Sequence, residues 1–123
     1  MDKSVFLEIS QENWLAQDEY FFIIKDQYHV SPGHLLIISK VVRKDFFDLS
    51  ESEKEALPNM IKTAQQLIAK EHQPDGYNIG MNCGSAAGQT VFHFHCHVIP
   101  RYQGDMEDPR GGVRHCVAGK GYY

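Results

Sequence analysis

Hydrophobic and polar positions alternate most cleanly between Thr90 and Ile99, where the chain reads Thr-Val-Phe-His-Phe-His-Cys-His-Val-Ile. Period-two alternation predicts a β-strand, and Pro100 marks its end. Phe92, Phe94, Cys96 and Val98 would share one apolar face. Val91, His93, His95, His97 and Ile99 would share the other. Neighbouring imidazoles on such a strand lie about 6.5–7 Å apart, from a rise of ~3.3 Å per residue. One side of this strand is built to enter a core, and the other to present a row of histidines.

The same reading along the rest of the chain predicts four more strands and a long helix. Trp14 to Gln17 and Tyr20 to Lys25 read as short strands joined by Asp18-Glu19, the second rich in aromatic and β-branched residues. Ser31-Pro32-Gly33 is a turn signal, because proline presets φ and glycine permits positive φ. His34 to Ser39 follows as a third strand, with Leu35 and Ile37 on one face and His34, Leu36 and Ile38 on the other. Residues 43–49 read as a short helix or turn. Ser50-Glu51-Ser52-Glu53 is a capping-box pattern. Leu57, Ile61, Ala64 and Ile68 then recur at helical spacing as far as Glu71-His72. Pro58 lies inside this run and predicts a kink or a late start. Asp75-Gly76 is a turn, Tyr77 to Asn82 a fourth strand, and Cys83 to Gln89 a loop of small residues.

Strands, helix and final hairpin, without βαβ alternation, predict an α+β fold. Its antiparallel five-stranded sheet would carry one long and one short helix. The 123 residues suit one domain, with 103–123 as a glycine-containing tail.

Composition narrows the function. A net charge of −4 argues against bulk nucleic-acid binding. The three cysteines, Cys83, Cys96 and Cys116, form no Cys-x-x-Cys pair, so neither a disulfide framework nor a cysteine zinc site is suggested. No apolar run is long enough for a signal peptide or a membrane span. A reduced, cytoplasmic location is the expectation, with no membrane partner.

A row of three histidines has several chemical uses. It can bind a divalent metal, and Cys96 between two bases can be read as a nucleophile. The second reading is weak, because Cys96 should point into the core. A barrel-type metal enzyme would want a glutamate shortly after the histidine pair, where Val98-Ile99-Pro100-Arg101 stands. An imidazole is also a competent nucleophile at phosphorus when one nitrogen keeps its lone pair and the other donates a proton to a fixed acceptor. The loop before the row, ending in Gln89-Thr90, would bring small residues, an amide and a hydroxyl to one mouth of that face.

Gly88 to Pro100 resembles the signature of the histidine triad (HIT) family, His-φ-His-φ-His-φ-φ with φ apolar. Asp26 to Ser39, containing Val30-Ser31-Pro32-Gly33-His34, resembles the segment before the family's first core helix. Asn78 to Gly84 resembles its fourth strand and loop. The resemblance implies a HIT-like fold, a homodimer and a nucleotide substrate.

Carried over by position, the resemblance implies that His95 is the nucleophile forming a nucleotidyl-histidine at the α-phosphorus. His93 would orient it or relay protons, His97 would contact phosphate oxygens, and His34 would support the triad. Asp26 would bind ribose hydroxyls and Ile24 would line the base pocket. Asn82, Gln89 and Thr90 would surround the phosphates and leaving group. His29, His72 and His115 match no catalytic position. Many bacterial members begin with Cys-x-x-Cys, which supplies a structural zinc. Here Ser4-Val5-Phe6-Leu7 stands instead, so no metal site is expected. Nor is any tightly bound cofactor, a divalent cation arriving only with a polyphosphate substrate.

A third histidine, rather than glutamine, in the triad implies the hydrolase branches. Asp108 to Arg114 resembles bacterial members described as diadenosine tetraphosphate hydrolase-like, with Arg110, Arg114 and Lys120 as candidates for selecting a leaving group. The expected activity is therefore hydrolysis of a nucleoside phosphoanhydride with release of AMP. An adenosine phosphoramidase and a nucleotide-binding regulatory protein are the alternatives.

Overall fold

The computed structural model describes residues 4–123. Five strands, β1 (Ala16–Gln17), β2 (Phe21–Lys25), β3 (Leu35–Ser39), β4 (Gly76–Gly80) and β5 (His95–Arg101), form one antiparallel sheet in the order β1-β2-β3-β5-β4. One α-helix, α1 (Glu51–Glu71), lies across one face. The expected short helix over 43–49 is a single 3-10 turn, Phe46–Asp48.

β2 and β3 read as continuous apolar runs because both of their faces are covered. Phe21, Ile23, Leu35 and Ile37 meet Leu57, Met60, Ala64 and Ile68 of α1, joined by Phe94, Cys96 and Val98. Phe22, Ile24, Leu36 and Ile38 point the other way, under Phe6, Ile9 and Trp14 of the N-terminal segment. Trp14 stacks on Phe22 with ring centroids 4.2 Å apart. The helix therefore occupies one side of the sheet, and the N-terminal segment roofs part of the other.

α1 opens with the expected capping box: Ser50 accepts from the Glu53 N–H, and Glu53 accepts from the Ser50 N–H. Glu53 is buried, and Arg43 compensates its charge at 2.9 Å. The late start expected from Pro58 is not found, since the helix begins at Glu51. Pro58 is exposed, so the Lys54 carbonyl it leaves unpaired lies towards solvent.

β5 and the residues before it correct three sequence expectations. It starts at His95 rather than Thr90, because β3 ends at Ser39 and β4 at Gly80, leaving residues 90–94 without ladder partners. Phe94 instead donates to the Arg43 carbonyl, and the Ser39 N–H donates to the Phe94 carbonyl. Phe92, expected in the core, is 46% exposed. Pro100 does not end the strand. It pairs with Tyr77 beyond the last β3 partner, where β5 has one neighbour and a missing donor is tolerated.

Candidate active site

The sheet face opposite α1 carries the histidines. His34 stands one residue before β3. The turn that delivers it is pinned from two sides: Ser31 Oγ donates to the Pro100 carbonyl at 2.7 Å, and the Tyr102 hydroxyl donates to the Pro32 carbonyl at 2.6 Å. Gly33 takes a φ of +94°, and a side chain there would meet the His72 ring at 2.9 Å.

Hydrogen bonds fix each imidazole's tautomer. The Val30 N–H donates to His34 Nδ1 at 3.1 Å, so neutral His34 carries its proton on Nε2. That Nε2–H reaches His97 Nδ1 at 2.9 Å, leaving the His97 proton on Nε2. Asp26 sits beside this pair, with Oδ2 3.2 Å from His34 Nε2 and 3.7 Å from His97 Nδ1. Its other oxygen accepts from the Tyr28 N–H at 2.8 Å. Burial lowers the His97 pKa to about 4, with His95 and His34 adding to the shift and Asp26 opposing it. Burial also lowers that of His34, against the raising effect of Asp26. Both rings are therefore neutral at neutral pH.

His95 donates from Nδ1 to the His93 carbonyl at 2.7 Å. Its Nε2 consequently keeps a lone pair, which is the form a nucleophile requires. His93 itself is fully buried and does not stand in the open row that the sequence suggests. It donates from Nε2 to the Ser39 carbonyl at 2.6 Å and accepts at Nδ1 from the Ser4 hydroxyl at 2.7 Å. Burial lowers its pKa, which keeps it neutral. With both nitrogens occupied by protein, His93 positions His95 and has no free nitrogen for relaying a proton to substrate. Phe6 packs edge-on against both rings, 5.5 Å from His93 and 5.0 Å from His95.

A cavity of about 470 Å³ opens before these groups, within the range of small-molecule sites. Phe6, Ile9, Ile24 and Leu36 give it an apolar end. Asp26, His34, Asn82, Thr90, His95 and His97 give it a polar one. Gln89 also lines it, but its amide is committed to the loop. Gln89 Oε1 accepts from the Gly84 N–H at 2.8 Å, while Nε2 donates to the carbonyls of Lys44 at 2.6 Å and Val91 at 3.2 Å. Gln89 therefore shapes the mouth through the backbone it braces. Cys96 is buried in the opposite face, and burial pushes its thiol up to about 11, which removes it as a nucleophile.

The remaining candidates lie elsewhere. His29 and His72 line a separate cavity of about 180 Å³ behind Asp26 and His34. His115 donates to the Arg110 carbonyl at 2.9 Å. Arg110 stacks over Tyr122 and Tyr123, and Arg114 donates to the Lys120 and Gly121 carbonyls. These arginines thus stabilise the tail's own conformation. Ser4 and Phe6 were legible in the sequence only as a missing zinc motif, yet both touch the triad. Ser4 and Leu7, where the zinc motif would stand, do not fit a metal: neither brings a thiolate, and the Ser4 hydroxyl already occupies the His93 nitrogen.

The chain belongs to the HIT family: the HIT domain model matches residues 8–104. Among curated relatives it is 33% identical over 89 residues to the uncharacterized HIT-like protein MG132 of Mycoplasma genitalium, covering 72% of this chain and 63% of that protein. It is 31% identical over 101 residues to the AP-4-A phosphorylase of Mycobacterium tuberculosis, covering 80% of this chain and 52% of that enzyme. The chain thus spans less than two thirds of the length of either relative. A solved HIT family protein from Bacillus anthracis superposes with a TM-score of 0.77 at 34% identity, over 85% of this chain and 77% of the other. A zinc-bound histidine triad protein from Mycobacterium smegmatis gives 0.69 at 33%, over 77% and 69%. No helix among the described residues is long and apolar enough to cross a membrane.

Proposed function

We propose that this chain hydrolyses a nucleoside phosphoanhydride or phosphoramidate at its α-phosphorus, through a nucleotidyl-histidine on His95, and releases a nucleoside monophosphate such as AMP. The observation that carries this reading is the tie from His95 Nδ1 to the His93 carbonyl, which leaves a nucleophilic nitrogen at the cavity. The apolar end suits a base, Asp26 suits ribose hydroxyls, and the His97 Nε2–H suits a phosphate oxygen or a departing group.

In the first step the His95 Nε2–P bond forms and the bond from phosphorus to the leaving group breaks. The leaving group takes that electron pair and a proton from solvent, while the neutral His97 Nε2–H is placed to hydrogen-bond the departing atom. The positive charge developing on His95 is shared through Nδ1–H with the His93 carbonyl. Water then attacks the same phosphorus, the P–N bond breaks and the monophosphate leaves. The proton lost by that water returns to solvent, balancing the one taken by the leaving group.

A second cavity, of about 830 Å³, adjoins the first at His97 and favours one class of leaving group. Ile79, Met81, Ile99, Val113 and Val117 line it, with no lysine or arginine. A phosphoramidate whose leaving amine is apolar fits this surroundings better than a polyphosphate, whose charges would want cations. The dinucleotide reading draws its support from the tail resemblance and from the AP-4-A phosphorylase relative.

Oxygen-18 water tests the mechanism. Label appears in AMP alone if water resolves an α-phosphoryl intermediate. Label in the other product refutes it. Diadenosine tetraphosphate and an adenosine phosphoramidate, assayed side by side, separate the two substrates.

A further inference from the structure

The ligand atoms of Asp26, His34 and His97 converge more closely than the hydrolytic mechanism requires. We propose that they form a labile zinc site, with Asp26 Oδ2, His34 Nε2 and His97 Nδ1 as ligands, and that its occupation excludes nucleotide. The zinc half stands on geometry alone. The exclusion half rests on the nucleotide site proposed above.

Three ligands at about 2.0–2.1 Å around tetrahedral zinc stand roughly 3.3 Å from one another. Here the three separations are 2.9, 3.2 and 3.7 Å, which bracket that value. The donor set of two imidazoles and a carboxylate matches zinc's preference, and three protein ligands leave a fourth position for water. The atoms already converge, and all three side chains are half-buried or buried, so little chain entropy is lost on binding.

Two of the three donors are in the binding form: His97 Nδ1 accepts a hydrogen bond, and Asp26 Oδ2 has free lone pairs. His34 must move its proton from Nε2 to Nδ1, which displaces the Val30 N–H. Val30 is 72% exposed in the loop before the turn, so water can replace that bond. The switch lowers affinity, which is why the site is labile. With zinc bound, Asp26 is withdrawn from the ribose and His97 loses its tie to His34.

The test uses the full chain, tag-free, titrated with zinc against a chromophoric chelator. One zinc per chain is expected. Asp26→Asn and His34→Gln should each weaken binding about tenfold or more, while His95→Asn keeps it within about twofold. Absence of zinc binding overturns the proposal. So does unchanged affinity in Asp26→Asn, or loss in His95→Asn, which would place the metal on the triad row. If His34→Gln fails to fold, the near-isosteric Asp26→Asn decides. Cobalt(II) in place of zinc should give visible bands without a near-ultraviolet thiolate band, since no cysteine is in the set. A thiolate band puts the metal on Cys83 or Cys116 and sinks the site. AMP affinity should fall at least tenfold with one equivalent of zinc, and an unchanged value overturns the exclusion. A chain that binds zinc as stated but never binds AMP refutes the nucleotide reading instead.

Discussion

His95 is held by the backbone of His93, through an Nδ1–H···O=C bond of 2.7 Å, and His93 is held in turn by Ser4 and Ser39. The first histidine of the row therefore acts as the anchor of the second. Replacing His95 with Asn should lower turnover by about a thousandfold or more, because no other described group presents a free nucleophilic nitrogen at the cavity. The variant should still bind nucleotide and should form no acid-labile nucleotidyl adduct in a single turnover. Near-normal activity in it would remove His95 from the mechanism.

The Ser4 tie predicts a split effect. Ser4→Ala leaves a buried His93 nitrogen without its donor, which costs about 1–3 kcal/mol. Stability measured in urea should fall by that amount. The ¹⁵N shift of His93 Nδ1 should move towards that of an imidazole nitrogen without a hydrogen bond, while Nε2 keeps its proton on the Ser39 carbonyl. Turnover should fall while KM stays near its value, since Ser4 touches neither base nor ribose. Ser4→Thr should restore both. A Ser4→Ala protein with unchanged His93 shifts would show that the hydroxyl does not fix the ring.

Much of this arrangement was legible in the sequence where local pattern and tertiary demand agree. The runs at Phe21–Lys25 and Leu35–Ser39 are strands with both faces buried, and Ser50 and Glu53 close the capping box they spell. The HIT fold and the positions of His34, Asp26, His95 and His97 around one cavity followed the family resemblance. Alternation failed at Val91 to His93. An extended pattern needs a partner strand, and where β3 ends is decided by Lys40 to Lys44 turning away. The same turn exposes Phe92 and buries His93. Ser4 and Phe6 were hidden because their partners lie about ninety residues away, and neither residue type signals such a contact.

Pro58 offers a test of the helix. It sits in the interior of α1 on the solvent side and cannot donate to Lys54. Pro58→Ala should restore that bond and raise stability by about 1–3 kcal/mol, less the entropy regained by the unfolded chain. The urea midpoint checks it, and a decrease would mean that the ring makes a contact worth more than the bond.

Stability should fall on acidification. His97 has its pKa lowered to about 4 from 6.5, and those of His34 and His93 are lowered as well. Below pH 6.5 the unfolded chain takes up protons that the folded chain refuses, so unfolding becomes easier as pH drops. For His97 the window runs from about 6.5 down to about 4, with a slope of at most about 1.4 kcal/mol per pH unit. Above pH 7 these three groups should contribute no slope. Thermal midpoints across pH 4–8 measure this, and a histidine-to-glutamine change at position 97 should flatten the curve between 4 and 6.5. A flat wild-type profile would contradict the neutral state assigned to the site.

The cavity beside His97 makes the last prediction. Val113 lines it, is 66% exposed and belongs to the tail's 3-10 turn, Gly112–Cys116. A lysine there has room to extend and adds a cation where the lining has none. If this cavity receives the leaving group, Val113→Lys should raise kcat/KM for diadenosine tetraphosphate and leave that for an apolar adenosine phosphoramidate unchanged or lower. An exposed charge of this kind is worth about 0.2–1 kcal/mol, so the ratio of the two specificities should move by up to about fivefold. The gain should shrink as salt is raised from roughly 0.01 to 1 M, because screening shortens the reach of the added charge. Val113→Gln adds length without charge and should leave the ratio where it was. Equal changes on both substrates, or none with either variant, would show that the leaving group departs by another route.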